Sequence, residues 1–211
     1  MTVAPEDLVN QALVEIGYSE RIASLEEGTR AADAALEVYR QVRDELLRAG
    51  GFPLARRANI PLALLKGPPP PGGYNPGQPW SAQYPPPGFL YQYGYPADCL
   101  ELKAIVPPPG AMFDLDPKPA VFRVDNDNSL IDRNGAATAQ QKVILSNLKG
   151  ALAVYTGRVT DPNLWDASFV SLVVKRLGEK LVRALREGEA VEKIERAEEA
   201  ALTGAAEANR G

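Results

Sequence analysis

Apolar residues recur at three- and four-residue steps in three stretches of this chain, and at alternate positions in a fourth. Leu8, Ala12, Leu13 and Ile16 form the first stripe and predict a short helix over about 5–16. Pro5 suits its first turn, Glu6 and Asp7 favour the positive end of its dipole, and Gly17 stops it. Ala32, Ala35, Leu36, Tyr39, Val42, Leu46 and Leu47 predict a longer helix over 29–49, halted by Gly50 and Gly51. Ser24 and Glu27 have capping-box spacing, but Thr29 is the preferred N-cap, because Gly28 inside a helix would cost about 1 kcal/mol relative to alanine. Leu164, Trp165, Phe169, Leu172, Val173, Leu177, Leu181 and Leu185 predict a third helix over 162–187. Asp161 caps it and Pro162 takes the first position, with Asp166 as a second possible start. The two longer helices are expected to press together as the core.

Period-two alternation marks Leu100 to Val106 as a strand. Shorter candidates are Val121–Val124, Leu130–Ile131, Lys142–Ser146 and Leu152–Tyr155, within a β region over about 89–155. Asp125 to Asn128 and Asn134–Gly135 read as turns. Asp125 and Asp127 imitate the start of a calcium loop, but Leu130 and Ala136 stand where its glycine and glutamate belong. Phe52 to Leu65, broken by Pro53 and Pro61, reads as an extended stretch leading into the sheet region.

Residues 67–88 are dominated by proline and glycine and exclude both a helix and a central strand. Tyr74, Trp80 and Tyr84 stand between the proline runs, the composition of a stiff surface arm that can order against a partner. Residues 188–211 are rich in Ala and Glu; Val191 and Ile194 give them a thin apolar stripe, too weak to hold a helix without a neighbour. The expectation is an α+β fold, mainly α: a helical bundle with a small antiparallel β region and a Pro-rich insertion. It places a single domain at 1–187 and a C-terminal helical tail at 188–211.

Composition narrows the chemistry. The chain has no histidine, which excludes imidazole triads and imidazole metal sites, and a single cysteine, which excludes an intrachain disulfide. Cys99 has no histidine base to activate it and is expected as a small buried strand residue. No catalytic residue, cofactor or metal is assigned. The formal charge of −4 argues against a tight grip on nucleic acid, although Arg56 and Arg57 form a short basic pair. Lys175, Arg176, Lys180, Arg183 and Arg186 alternate with acids on the third helix and read as a solvated face. Without a long apolar run or a basic-then-apolar leader, a soluble protein made in a cytoplasm is expected.

The order of landmarks carries a resemblance. A helix ending in ALVEIGYSERIASL is followed by one ending in YRQVRDELLRAGGFPLARR, then by GYPADCLELKAI and YTGRVTDPNLWDASFVSLVVKRLGEKLVRAL. From about Leu8 to Leu185 this resembles the tail tubular protein A family of short-tailed phages, the adaptor or gatekeeper class of head-to-tail connectors. The resemblance implies a non-enzymatic virion protein of the tail or neck, assembled in the host cytoplasm as a dodecameric ring. That ring would sit between the portal and the tail nozzle or tube, with DNA passing through its channel and no membrane partner. The insertion at 67–88 departs from the family pattern. Expected contact residues are Tyr74, Trp80, Tyr84, Arg56, Arg57, Val191 and Ile194.

Competing readings are a head-completion or stopper protein, a glycan hydrolase and a DNA-binding packaging factor. The hydrolase would use two carboxylates among Asp98, Glu101, Asp161 and Asp166; the packaging factor would gather Arg56, Arg57, Lys142 and Lys149 on one face.

Overall fold

The structure is a computed structural model that describes residues 2–68, 84–108, 119–127 and 141–185. The chain divides into two compact units, one from Met1–Ala49 with Val159–Gly211 and one from Gly50–Arg158.

The first unit is helical. Helix α1, Pro5–Glu15, buries Leu8, Val9, Ala12 and Leu13. Asp7 accepts the Ala4 N–H at 2.9 Å, tying the carboxylate to the helix start. At the other end Gly17 takes a φ of 74°, its N–H reaches Val14 O, and the Tyr18 N–H reaches Leu13 O. These two bonds satisfy the last carbonyls, and glycine's freedom at positive φ permits them. Asn10 pins the following connection, donating to Ile22 O at 2.8 Å and accepting the Ile22 N–H at 2.9 Å. The Ser24–Glu27 pattern closes a turn: Glu27 accepts the Ala23 and Ser24 N–H groups, and Ser24 Oγ accepts that of Glu26. Helix α2, Arg30–Gly50, starts afterwards, with the Ala32 N–H on Thr29 Oγ1.

The final segment departs from the single helix expected over 162–187. Asp161 caps only a 3-10 turn at Pro162–Leu164, its carboxylate accepting the Asn163 N–H. Trp165 then breaks the run, and an α-helix, α3, occupies 167–185. Its cap is Asp166, which accepts the Phe169 N–H at 2.8 Å. Trp165 is held by its own bond to Val159 O at 3.2 Å and by an edge contact with Phe169 at 4.9 Å between ring centroids. Asn163 bonds the Val3 backbone at one end of α1, while Ile16 at the other end lies over Gly178, so α1 runs alongside this segment in the same direction. Glu45 of α2 joins α3 through Lys180 at 2.8 Å and Arg176 at 3.2 Å. Leu164 and Leu172, expected in the core stripe, are exposed: Leu164 sits in the 3-10 turn outside α3, and Leu172 lies off the α3 face that buries Phe169, Val173, Leu177 and Leu181.

The second unit overturns the expectation of a mainly helical fold. The described residues are about 39% helical and 27% strand, with three helices and two antiparallel sheets. Strands β1 (Arg56–Pro61), β7 (Leu152–Gly157) and β4 (Cys99–Val106) form one sheet in the order β1-β7-β4. Strands β2 (Leu64–Lys66), β3 (Tyr91–Gly94), β6 (Gln141–Ser146) and β5 (Phe122–Asp127) form the other, in the order β2-β3-β6-β5. Tyr93, Ile105, Ile144 and Ala151 make a core contributed by both sheets. Tyr93 satisfies its buried phenol by donating to Leu148 O at 2.6 Å.

The strands were undercounted because several are short and bulged, so alternation seldom runs far enough to register. In β1 the register slips between Arg57 and Ile60, where Asn59 takes a φ of 57°; asparagine tolerates this left-handed backbone better than most residues. A second correction concerns Asp125 to Asn128: Asp125, Asn126 and Asp127 lie inside β5, paired with Val143, Lys142 and Gln141. Their turn preference yields to the ladder with β6. Asn128, Leu130–Ile131 and Asn134–Gly135 lie outside the described residues.

Candidate functional site

Most residues singled out for chemistry have structural duties here. Asp161 and Asp166 cap the two starts of the last helical segment, and the hydrogen bonds they accept hold both carboxyls below the usual range. For Asp161 the main cause is the Asn163 N–H; for Asp166 it is the Ser168 hydroxyl, followed by the Phe169 N–H. Glu101 pairs with Lys103 at 2.6 Å on the surface. Asp98 accepts the Tyr155 hydroxyl at 2.8 Å, and its own carbonyl takes the Arg158 N–H at 2.7 Å. Burial first, and then this bond and the Asp98 charge, push the Tyr155 phenol up to about 12. Asp98 and Glu101 lie in the β unit; Asp161 and Asp166 lie in the helical one.

Cys99 opens β4 as expected of a strand residue, but it is only partly buried. Desolvation raises its thiol pKa, so the thiolate that a nucleophile requires is disfavoured.

The basic candidates divide between the sheets. Arg56, exposed, and Arg57, half-buried, stand on β1, while Lys142 of β6 lies 4.0 Å over the Tyr95 ring. Arg57 donates to Leu54 O at 3.2 Å and crosses Gly157 so closely that a Cβ there would meet its Cγ at 2.9 Å. On α3, Arg176 and Lys180 are engaged by Glu45. Of the aromatic trio, Tyr84 is half-buried at the edge of the described residues; Tyr74, Trp80, Val191 and Ile194 lie outside them.

Sequence reading missed a cavity of about 400 Å³ in the helical unit, lined by residues that include Glu6, Leu25, Leu36, Tyr39, Arg43 and Thr160. Tyr39 was assigned to the apolar stripe, and its ring fulfils that role, stacked 6.3 Å from Trp165. Its hydroxyl does not: it is buried and has no hydrogen-bond partner among the described residues. Burial drives this phenol up to about 12, against the nearby Arg43 charge and with the help of Glu6 and Asp161. Arg43, also buried, binds Asp44 through Nε at 2.8 Å. The periodicity gave no hint of these two polar groups, because it registers Tyr39 by its ring, passes over Arg43, and carries no signal for how a polar tip is paired.

Among the described residues no group of three acidic or cysteine side chains is placed to hold a metal ion, and no helix is long and apolar enough to cross a membrane. No protein-family model matches the chain, and no curated protein matches it.

Proposed function

We propose that the chain is a structural virion subunit, a ring-forming adaptor that joins a phage portal to the tail nozzle or tube while DNA passes through the ring. The observation that carries this reading is where the family landmarks fall. ALVEIGYSE spans the glycine stop of α1, and RAGGFPLARR spans the passage from α2 into β1. ADCLELKAI is β4 with its lead-in, and the TDPNLWD run holds both caps of the last helical segment. Each quoted run thus has a boundary or a strand to specify.

Surface composition supports the same reading. A ring of identical copies needs two different faces on each subunit that meet one another. Large apolar side chains stand exposed on both units: Val14, Leu164 and Leu172 on the helical one, Leu64, Leu90 and Val121 on the β one. Val121 is 85% exposed and Leu164 65%, values that a lone subunit gains nothing by keeping. The net charge of −4 suits a channel wall that must let a polyanion slide.

Electron microscopy of the purified full chain, alone and mixed with portal rings, tests the proposal. Closed rings of twelve copies, or decoration of the portal rim, are expected. A protein that stays monomeric at every concentration and leaves portal rings bare would end it.

A further inference from the structure

We propose that the cavity of the helical unit is a binding site for a small carboxylate with an apolar body, an inference independent of the adaptor reading. One buried donor without a partner and one arginine fork line this cavity. Tyr39 is 3% exposed, and its hydroxyl is the only buried side-chain polar atom without a partner among the described residues. Leaving such a group unpaired is costly, so its retention in a packed helix calls for an acceptor. Arg43 is 8% exposed, and among the described residues it bonds Asp44 through Nε, which leaves the terminal nitrogens of its planar fork to donate.

A phenol O–H and a guanidinium edge together fit one carboxylate, whose two oxygens accept from both. Pro5, Leu25 and Leu36 supply apolar wall for the rest of the molecule, and Ser24 and Thr160 also line the cavity. Its volume of about 400 Å³ lies in the range of small-ligand pockets. Two carboxylates share the lining. Glu6 sits in the first turn of α1, where the helix dipole offsets its charge, and Glu26 is exposed and screened by solvent, as is the lining Arg40.

The test uses the full chain with hexanoate as the probe and 1-hexanol as its uncharged counterpart. Hexanoate should raise the melting temperature of the wild type and shift the backbone amide resonances of Ser24, Leu25 and Thr160; hexanol should do neither. Tyr39→Phe removes only the hydroxyl. Without hexanoate it should melt no lower than the wild type, and it should bind hexanoate about tenfold more weakly or worse. Arg43→Gln should weaken hexanoate in the same sense. Equal affinity in wild type and Tyr39→Phe, no hexanoate-specific shift (water alone in the cavity), or a clear loss of melting temperature in unliganded Tyr39→Phe would each overturn the assignment.

Discussion

The Lys66 ammonium and the Asp127 carboxylate, 61 positions apart in the chain, meet at 2.6 Å with their side chains only 5% and 9% exposed. They stand on the two edge strands of the four-stranded sheet, which a flat sheet would hold about 14 Å apart across three strand spacings. The long Lys66 side chain therefore reaches across the sheet to Asp127, and Gln92 of β3 adds a bond to the same carboxylate oxygen. A buried pair of this kind is tolerated only while both partners are present. Lys66→Met or Asp127→Asn alone should cost about 3–5 kcal/mol in urea unfolding, whereas replacing both with apolar residues of similar volume should cost much less. Equal losses in the single and double variants would refute the pairing.

Gly178 lies in α3 where a Cβ would come within 3.2 Å of Ile16 Cγ2 and 3.7 Å of Ala12 O. A bulky side chain there must push α1 away. Gly178→Val should lower stability by about 1–3 kcal/mol, and pairing it with Ile16→Ala should recover part of the loss. A thermal melt of the three proteins decides it.

Leu172, 40% exposed, is a surface residue despite its place in the apolar repeat. Leu172→Asp should leave the unfolding midpoint within about 0.5 kcal/mol of the wild type. Under the adaptor proposal, Leu164→Lys combined with Leu172→Lys should keep the fold and weaken ring assembly, read by sedimentation. A large loss of stability would return Leu172 to the core.

Alkaline pH should destabilise the protein in a defined window. The Tyr39 and Tyr155 phenols each have a folded pKa of about 12, raised from 10.0 mainly by burial, so the folded state holds their protons more tightly than the unfolded one. Their contribution is complete below pH 10 and is lost as pH climbs toward 12. Tyr39→Phe and Tyr155→Phe should each flatten part of that fall in the urea midpoint; a slope unchanged in the double variant would refute the assignment. At the acid end the sign reverses for Glu45. Hydrogen bonds from Lys180 and then Arg176 lower its pKa from 4.5, so its small contribution is present above that value and fades as pH falls through the lowered one.

Local chemistry was legible in the sequence wherever one residue type satisfies a nearby backbone group. Pro5 and Gly17 bracket α1, Thr29 opens α2, and alternation through Glu101 and Lys103 marks β4, because each signal acts within a few residues of its cause. The balance of helix and strand was not legible. Strands as short as Leu64–Lys66 and Tyr91–Gly94 carry too little pattern, and their hydrogen bonds come from partners far along the chain. Asp125 to Asp127 show the same limit: their composition favours a turn, yet the ladder with β6 and the buried Lys66 ammonium hold them in a strand. The cavity under Tyr39 belongs to tertiary structure alone, since whether a phenol finds a partner depends on which side chains from α1, the following turns and Thr160 close around it. Sequence by itself determined caps and stops, which are local; burial, the reach of Lys66 to Asp127 and the fate of each polar group were decided by contacts between distant segments.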